Sequence, residues 1–306
     1  MTTPIIIDTD PGIDDIIAIS AALNSDKLDV RLITSIGGNV GIEHTTKNAL
    51  DIVNYFNKNV PVAQGVNKPL LNKLSTAEHV HGHNGIGNYI INTSQNLSTI
   101  SDNAVNAMYN TIMQSEEPIT LVPIGPLTNI ALLLSLYPET KNNIKEIVLM
   151  GGAAVGGNAT PVAEFNIYAD PHAAHIVFNI DIPIVMCGLD VTRETMINFN
   201  DIKTIETMGD FGQMITKMLD VYNDVNSGED HEHIIHDLCT IFYLLYPEIF
   251  ITEQANVTVI TEGHAAGCTL TEFSHEGRVK VCMHADNKQF RTKFIEFVSN
   301  IHRKVK

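Results

Sequence analysis

The sequence is poor in features that mark several large protein classes. It has no tryptophan, and its four cysteines form no CxxC pair. This spacing excludes a zinc ribbon and a thioredoxin-like motif. Scattered thiols in a chain of this size are typical of reduced core residues in a cytosolic protein. We therefore predict a cytoplasmic protein that needs no disulfides.

Positive charge is also scarce. The 19 Lys and Arg residues face 35 Asp and Glu residues, which gives a net charge of −16. A chain with this balance does not bind nucleic acid by neutralising phosphates, so we predict no nucleic-acid partner. Long apolar runs are missing as well, and the short run near the N-terminus has no basic segment before it. The sequence therefore predicts neither a membrane span nor a signal peptide.

Short apolar runs alternate with longer segments of helical period, which predicts an α/β fold with an open, mainly parallel sheet flanked by helices. Because no linker or internal repeat interrupts the pattern, we predict a single domain over residues 1–306. The predicted strands are 4–8, 30–36, 61–64, 119–124, 146–151 and 182–188. The predicted helices are 14–24, 42–57, 102–115, 127–136, 171–179, 200–226, 234–246 and 286–303. Further apolar alternation marks 256–261 and 279–283.

Two irregular segments stand out, at 71–85 and 226–237. Together they hold six of the 13 histidines. Long irregular loops in a compact domain are often functional, so we expect both to border a site. A soft-metal site built from these histidines is one alternative that the sequence leaves open.

An acidic cluster follows the first predicted strand. Four aspartates lie within eight residues, at positions 8, 10, 14 and 15. Asp14 and Asp15 fall in the first turn of the next helix, where the helix dipole favours carboxylates, and capping explains one or two acids there. Four carboxylates at the end of a buried strand repel one another, and a bound cation relieves that repulsion. An all-oxygen ligand set selects a hard ion, calcium or magnesium.

The residues that follow Asp8 exclude one common type of calcium site. An EF-hand loop counted from Asp8 needs Gly at its sixth position and Glu at its twelfth, but the chain has Ile13 and Ile19 there. A phosphatase with an aspartyl nucleophile is a second hypothesis. It requires a lysine and further acids downstream that the sequence does not place.

Turn motifs follow several other predicted strands. They are Gly37-Gly38-Asn39, the GPLTN segment at 125–129, Met150-Gly151-Gly152, the AEFN segment at 163–166 and His236-Asp237. Together with DTDPGIDD at 8–15, and in this order, they closely resemble the inosine–uridine-preferring nucleoside hydrolase family over nearly the whole chain. The segments IGPLTNIALLLS and VMCGLDVT look most like the bacterial non-specific ribonucleoside hydrolases.

This resemblance implies a Ca²⁺-dependent enzyme that hydrolyses the N-glycosidic bond of purine and pyrimidine ribonucleosides. The calcium ligands would be Asp10, Asp15 and Asp237, with the backbone carbonyl of Ile124. Asp10 would activate a calcium-bound water, and His236 would protonate the leaving base. The substrate pocket would be formed by Asp14, Asn39, His81, Met150, Asn158, Glu164 and Asn166. The resemblance also implies a homodimer or homotetramer.

One segment departs from the family pattern. The family often has Asp in an HG-x-DG segment, whereas this chain has His81-Gly82-His83-Asn84-Gly85. The change bears on base contacts in this loop rather than on the metal site. A non-catalytic, calcium-dependent sensor of ribose or nucleosides, built on the same pocket, is a further alternative.

Overall fold

The computed structural model describes residues 2–93, 97–222 and 232–305. Its strands are β1 (Thr3–Thr9), β2 (Leu28–Ser35), β3 (Val62–Gln64), β4 (Ile119–Pro123), β5 (Ile144–Met150), β6 (Ile184–Cys187), β7 (Met196–Ile197), β8 (His233–Ile234), β9 (Phe250–Val259), β10 (Thr269–Phe273) and β11 (Val279–Ala285). Its α-helices are α1 (Ile13–Asn24), α2 (Ile42–Tyr55), α3 (Glu78–His81), α4 (Ala104–Gln114), α5 (Thr128–Leu136), α6 (Phe165–Ala169), α7 (Pro171–Phe178), α8 (Leu189–Thr192), α9 (Phe199–Glu206), α10 (Gly209–Leu219), α11 (Leu238–Leu245) and α12 (Asn287–Val305).

In the described part of the chain, nine strands form one sheet in the order β10-β9-β11-β6-β5-β4-β1-β2-β3. The strands from β3 to β11 in this order pair in parallel, and β9 and β10 add an antiparallel hairpin at one edge. The predicted open, mainly parallel sheet flanked by helices is therefore confirmed. Strands from Thr3 to Ala285 join this one sheet, as the single-domain interpretation expects.

The apolar residues of β1 show how the sheet is covered. Ile5 and Ile7 pack into a core with α1, α2 and α11, whereas Ile6 points to the opposite core beneath α4, α5 and α7. All three side chains are fully buried. Because both faces of a parallel sheet are covered by helices, its central strands are apolar throughout. No helix of the described residues is long and apolar enough to cross a membrane.

The strand order places a site at the middle of the sheet. From β1 the chain proceeds outward to β2 and β3, and from β4 outward on the other side to β5 and β6. The crevice above the carboxyl ends of β1 and β4 is thus the point where the winding reverses, and ligands of open α/β sheets bind at such points. Asp10 follows β1, and Ile124 follows β4.

The structure corrects the sequence-based boundaries in the second half of the chain. The helix predicted over 200–226 is two helices, α9 and α10, separated near Gly209, whose φ of +71° favours glycine. The sequence analysis missed β10, an edge strand in which only Thr269 is buried, so that little apolar alternation marks it. Segment 71–85 contains the short helix α3, and of segment 226–237 the part at 226–231 lies outside the described residues.

Candidate active site

Asp10 lies in a tight cradle at the end of β1. It is fully buried, its Oδ2 accepts a hydrogen bond of 2.6 Å from the Asn39 amide nitrogen, and its backbone oxygen accepts one of 3.2 Å from Asn39 Nδ2. A Cβ at Gly38 would lie 2.0 Å from Asp10 Oδ2, and one at Gly125 would lie 2.4 Å from Oδ1. The glycines of the GGN and GPLTN motifs therefore allow two loops to close on this carboxylate.

The two carboxylate oxygens of Asp10 differ. Oδ1 is buried and has no hydrogen-bond partner among the described residues. Burial raises the pKa of Asp10 well above its usual range, and the charge of Asp15 raises it further. A buried carboxylate oxygen without a donor is costly unless something positive or protic meets it.

Asp15 is held from its own turn. Its Oδ1 accepts a 2.5 Å hydrogen bond from Thr9 Oγ1, and its Oδ2 accepts from the Gly12 nitrogen at 2.8 Å and from Asn39 Nδ2 at 3.2 Å. The bond from Gly12 closes one half of a capping box at the start of α1. The capping function that the sequence allows is therefore real, and it uses Asp15 rather than Asp14. Burial still raises the pKa of Asp15.

Tertiary structure brings a third carboxylate to this pair. Asp14, Asp15 and Asp237 each place an oxygen within 4.8 Å of the other two, in an arrangement that could hold a metal ion. Asp237 begins α11, some 220 residues away in sequence from the others. Burial raises its pKa well above the usual range, and the charges of Asp14 and Asp15 raise it further.

The residues present therefore fit a cation. Buried carboxylates that repel one another are stabilised by a positive ion, and their oxygen donors are those of a hard ion. Asp10 is not one of these three residues, but it is close enough for its charge also to raise the pKa of Asp237. Which of the four carboxylates bind directly stays a prediction.

On the opposite side, Asn166 ties two strand ends together. Its Nδ2 donates to the backbone oxygen of Ile124 at 3.1 Å and to that of Met150 at 3.2 Å. The Ile124 carbonyl thus faces Asn166, and a carbonyl oxygen retains a second lone pair for the metal contact, which stays a prediction.

Glu164 has a structural function that the sequence does not reveal. Its carboxylate accepts hydrogen bonds from the backbone nitrogens of Asn166 at 2.9 Å, Gly152 at 2.9 Å and Ile167 at 3.2 Å. It therefore caps α6 and joins this helix to the turn after β5. Burial raises its pKa, and these three donors partly oppose that shift. Asn158 is exposed, and its Oδ1 accepts a 2.9 Å bond from the Phe165 nitrogen.

Two buried histidines approach the site from different elements. His236 Nδ1 lies 2.8 Å from the hydroxyl of Thr192. His81 Nδ1 accepts a 3.2 Å hydrogen bond from the Ile13 nitrogen and lies 3.9 Å from Asp14 Oδ1. Since its Nδ1 is an acceptor, neutral His81 carries its proton on Nε2.

All these elements surround one pocket, whose empty volume including its open mouth is about 730 Å³. Every predicted substrate residue lines it, together with His236, Ile124 and Asp237, whereas Asp10 and Asp15 are not among its lining residues. The sequence analysis missed several wall residues, namely Ala77, His79, Val80, Ala159, Phe165 and Tyr222. Four of these lie in segments that the sequence analysis singled out: Ala77, His79 and Val80 in 71–85, and Phe165 in the AEFN motif.

His81 lines the pocket, whereas the departing residues His83 and Asn84 are not among its lining residues. Asn84 Oδ1 accepts from the nitrogens of Ile86 at 3.1 Å and Asn88 at 2.9 Å, so this side chain shapes its own loop. The exposed His83 lies 3.3 Å from Glu78. Within 2–93, 97–222 and 232–305, the group that could hold a metal consists of aspartates alone. The described residues therefore give no support to a histidine site; His231 lies outside them.

Comparison with known proteins agrees with this geometry. The family profile described as inosine-uridine preferring nucleoside hydrolase matches residues 5–292. The non-specific ribonucleoside hydrolase RihC of Salmonella typhimurium is 45% identical over 277 residues, which are 90% of this chain and 89% of that protein. RihC of Klebsiella pneumoniae is 44% identical over 280 residues, covering 91% and 90%.

Solved structures show the same fold. The purine-preferring ribonucleoside hydrolase from Gardnerella vaginalis superposes with a TM-score of 0.92 at 30% identity, covering 99% of this chain and 100% of that one. The plant nucleoside hydrolase PpNRh1 superposes with a TM-score of 0.91 at 30% identity, covering 98% and 99%. With the profile match spanning nearly the whole chain, this protein belongs to the inosine–uridine-preferring nucleoside hydrolase family.

Proposed function

We propose that this nucleoside hydrolase cleaves the N-glycosidic bond of purine and pyrimidine ribonucleosides with Asp10 as general base and His236 as general acid. The observation that carries the proposal is that one pocket wall holds both His236 and two members of the aspartate cluster, Asp14 and Asp237. A sugar can thus lie on oxygen ligands while its base meets an imidazole.

Calcium is the ion that we assign to the cluster, held by Asp10, Asp15, Asp237 and the Ile124 carbonyl. Calcium accepts six to eight oxygen ligands in flexible geometry. This suits carboxylates from two segments of the chain and a carbonyl from a third better than the strict octahedral geometry of magnesium does. When bound, the ion supplies positive charge that neutralises the carboxylates and attracts the oxygens of the substrate. The unpartnered Oδ1 of Asp10 and the raised pKa of Asp237 support this assignment.

The polar wall suits a ribose. We assign the sugar hydroxyls to Asp14, Asn39, Asn158, Glu164 and Asn166, with Met150 against the sugar ring. The reaction develops positive charge at the sugar, as other glycoside hydrolyses do. Carboxylates and amide oxygens placed around that charge stabilise the transition state more than the ground state.

Asp10 is suited to take a proton from the attacking water. Its Oδ2 is engaged by Asn39, which orients the carboxylate and leaves Oδ1 as the accepting atom. General-base catalysis of this kind contributes about 10²–10⁴-fold. Positioning of water and sugar on one set of ligands adds a further, entropic contribution.

Departure of the base requires a proton for a purine. His236 lines the pocket, and an imidazole nitrogen that carries a proton can donate it to N7. His81, across the pocket and beside Asp14, is the residue that we assign to the base of a bound pyrimidine.

Two alternatives have less support. A phosphatase needs cationic side chains around the phosphate, but the described wall of the pocket has no Lys or Arg. A non-catalytic nucleoside sensor would have no use for Asp10 as a buried base, and family membership favours hydrolysis.

The decisive experiment is release of free base from inosine and uridine by the purified protein, followed by chromatography of hypoxanthine and uracil. The control is Asp10→Asn, prepared in parallel and shown to be folded by circular dichroism. Binding of either nucleoside without release of base would support the sensor, and release of phosphate from a nucleoside monophosphate would support the phosphatase.

We also propose that the protein works in the cytoplasm as a homodimer or homotetramer. All four cysteines are free thiols, and Cys187 and Cys282 remain so with their sulfurs 3.8 Å apart, as expected in a reducing compartment. The molar mass measured by light scattering after size-exclusion chromatography tests the oligomeric state.

A further inference from the structure

Thr192 is a buried residue without an assigned function in the hydrolysis described above. It ends α8, is fully buried, and its hydroxyl lies 2.8 Å from His236 Nδ1. His236 itself is 8% exposed and lines the pocket. With Nδ1 against this buried hydroxyl, Nε2 is on the edge of the ring that faces away from Thr192.

The position of Thr192 is itself determined by the short helix. Its nitrogen donates to the Gly188 oxygen at 3.1 Å, and its carbonyl accepts from the Thr195 nitrogen at 3.1 Å and from Thr195 Oγ1 at 2.8 Å. The hydroxyl therefore projects from a fixed point toward the start of α11, where His236 lies.

The neighbours of Thr192 contact the loop that carries Asn158, which also lines the pocket. Asp190 accepts from the nitrogens of Ala154 at 2.7 Å and Val155 at 3.0 Å. Arg193 Nη2 donates to the Gly157 oxygen at 2.8 Å, next to Asn158. One helical turn thus sets the loop that carries Asn158 and, through Thr192, the ring of His236.

We propose that Thr192 is a positioning residue for leaving-group protonation, which holds the His236 ring with Nε2 directed at the departing base. This inference rests on the proposed function of His236 as general acid. The Thr192 hydroxyl accepts a hydrogen bond from Nδ1–H, and the ring cannot rotate without breaking it.

The same bond serves before and after the transfer. His236 gives its Nε2 proton to N7 of the purine, the C1′–N9 bond breaks with its electron pair going to the base, and water adds at C1′ while its proton passes to Asp10. Neutral His236 then keeps its proton on Nδ1, still donated to Thr192 Oγ1. A valine at 192 has nearly the same shape but would leave this buried donor without an acceptor, whereas serine keeps the acceptor.

The test compares two substrates with Thr192→Val and Thr192→Ser. Inosine needs a proton on its leaving base, whereas p-nitrophenyl β-D-ribofuranoside releases a stable phenolate that needs none. We expect Thr192→Val to lower kcat/KM for inosine about 10- to 100-fold, the effect of leaving one buried donor unsatisfied. Its kcat/KM for the nitrophenyl riboside should stay within a few-fold of wild type, which also shows that the variant is folded. Thr192→Ser should restore most of the inosine activity.

A matched control is Thr120→Val in β4, since Thr120 is equally buried but its hydroxyl has no partner among the described residues. Thr120→Val should leave kcat/KM unchanged for both substrates. In a double-mutant cycle, Thr192→Val should cause no further loss when added to His236→Gln, because the two side chains act as one unit.

Three results would overturn the inference: equal losses on both substrates, full inosine activity in Thr192→Val, or an undiminished loss in the His236→Gln background. Each of these leaves wild-type hydrolysis intact and so refutes only the function of Thr192. A wild-type protein that releases no hypoxanthine at all would instead refute the proposed function and this inference with it.

Discussion

Calcium should stabilise this protein, and the increment should grow with pH. Burial raises the pKa of Asp10, Asp15 and Asp237 in the metal-free fold. A carboxyl whose pKa is raised by folding contributes stability below its unfolded pKa, and this contribution is lost as the pH rises through the folded pKa. Metal-free stability should therefore fall as pH rises from the unfolded values near 4. Calcium binds the deprotonated carboxylates, so it should compensate most at high pH.

The expected size follows from mass action and chain length. An ion present at 100 times its Kd stabilises the fold by about 2.7 kcal/mol. A chain of 306 residues unfolds with an entropy of roughly 0.64 kcal/mol/K, at about 2.1 cal/mol/K per residue. The ratio of these values predicts a rise in Tm of about 4 °C at pH 8. At pH 5.5 protons compete for the same oxygens, so the rise should be smaller.

Scanning fluorimetry with EDTA or excess calcium at both pH values measures this. Asp237→Asn should lose the calcium response, yet at pH 8 in EDTA it should be at least as stable as wild type because one repelling charge is gone. Asp170→Asn is the matched control. Asp170 is also fully buried, but its carboxylate accepts from Thr128, Leu70 and Ala173, so this variant should lose stability and keep the calcium response. A calcium response equal at both pH values, or retained by Asp237→Asn, would refute the reasoning.

We expect three further outcomes. Asp10→Asn should lower kcat by about 10²–10⁴-fold with little change in KM, because the amide keeps its contacts but accepts no proton. Steady-state kinetics on inosine measure this, and a kcat within a few-fold of wild type excludes Asp10 as the base. 2′-Deoxyinosine should have a kcat/KM roughly 10⁴-fold below that of inosine, because buried partners of the 2′-hydroxyl stay unpaired, and near-equal values contradict the assignment of Asp14 to the sugar. Burial raises the pKa of Asp8 to about 7, so wild-type stability in EDTA should fall between about pH 4 and 7. Asp8→Asn retains the acceptor for Thr34 and Asn129, so urea unfolding should show it to be more stable than wild type at pH 8, and an unchanged pH profile would count against this.

Local pattern was enough for the central elements of the fold. The isoleucines before Asp8 predicted a buried strand, and the residues from Pro11 to Asp15 predicted a turn and a helix start, as β1 and α1 show. Such predictions succeed because the strand and the turn depend on neighbouring residues. The edge strand β10 was not predicted, because its pairing with β9 depends on partners 10 or more residues away rather than on its own apolar pattern.

The structure brings many of the candidate residues together, although their functions stay predictions. Asp14, Asn39, Met150, Asn166, His236 and Asp237 come from separate motifs and line one pocket. Segment 71–85 borders the pocket, as expected from its irregular pattern, but that pattern did not show that His81 lines the pocket while Asn84 accepts hydrogen bonds from its own loop.

The sequence by itself determined which chemical groups are available. They are the carboxylates after the first strand, the glycine turns that allow close approach of the backbone, and the imidazoles of the histidines. Tertiary structure alone decided how these groups are shared. It placed Asp237 within 4.8 Å of Asp14 and Asp15, used Glu164 as a helix cap, put Tyr222 in the wall, and set Thr192 against His236. The physical reason is that these contacts, apart from the local cap by Glu164, join segments that are distant in sequence and are brought together by the burial of both faces of the sheet. The local sequence around a side chain does not identify such a partner.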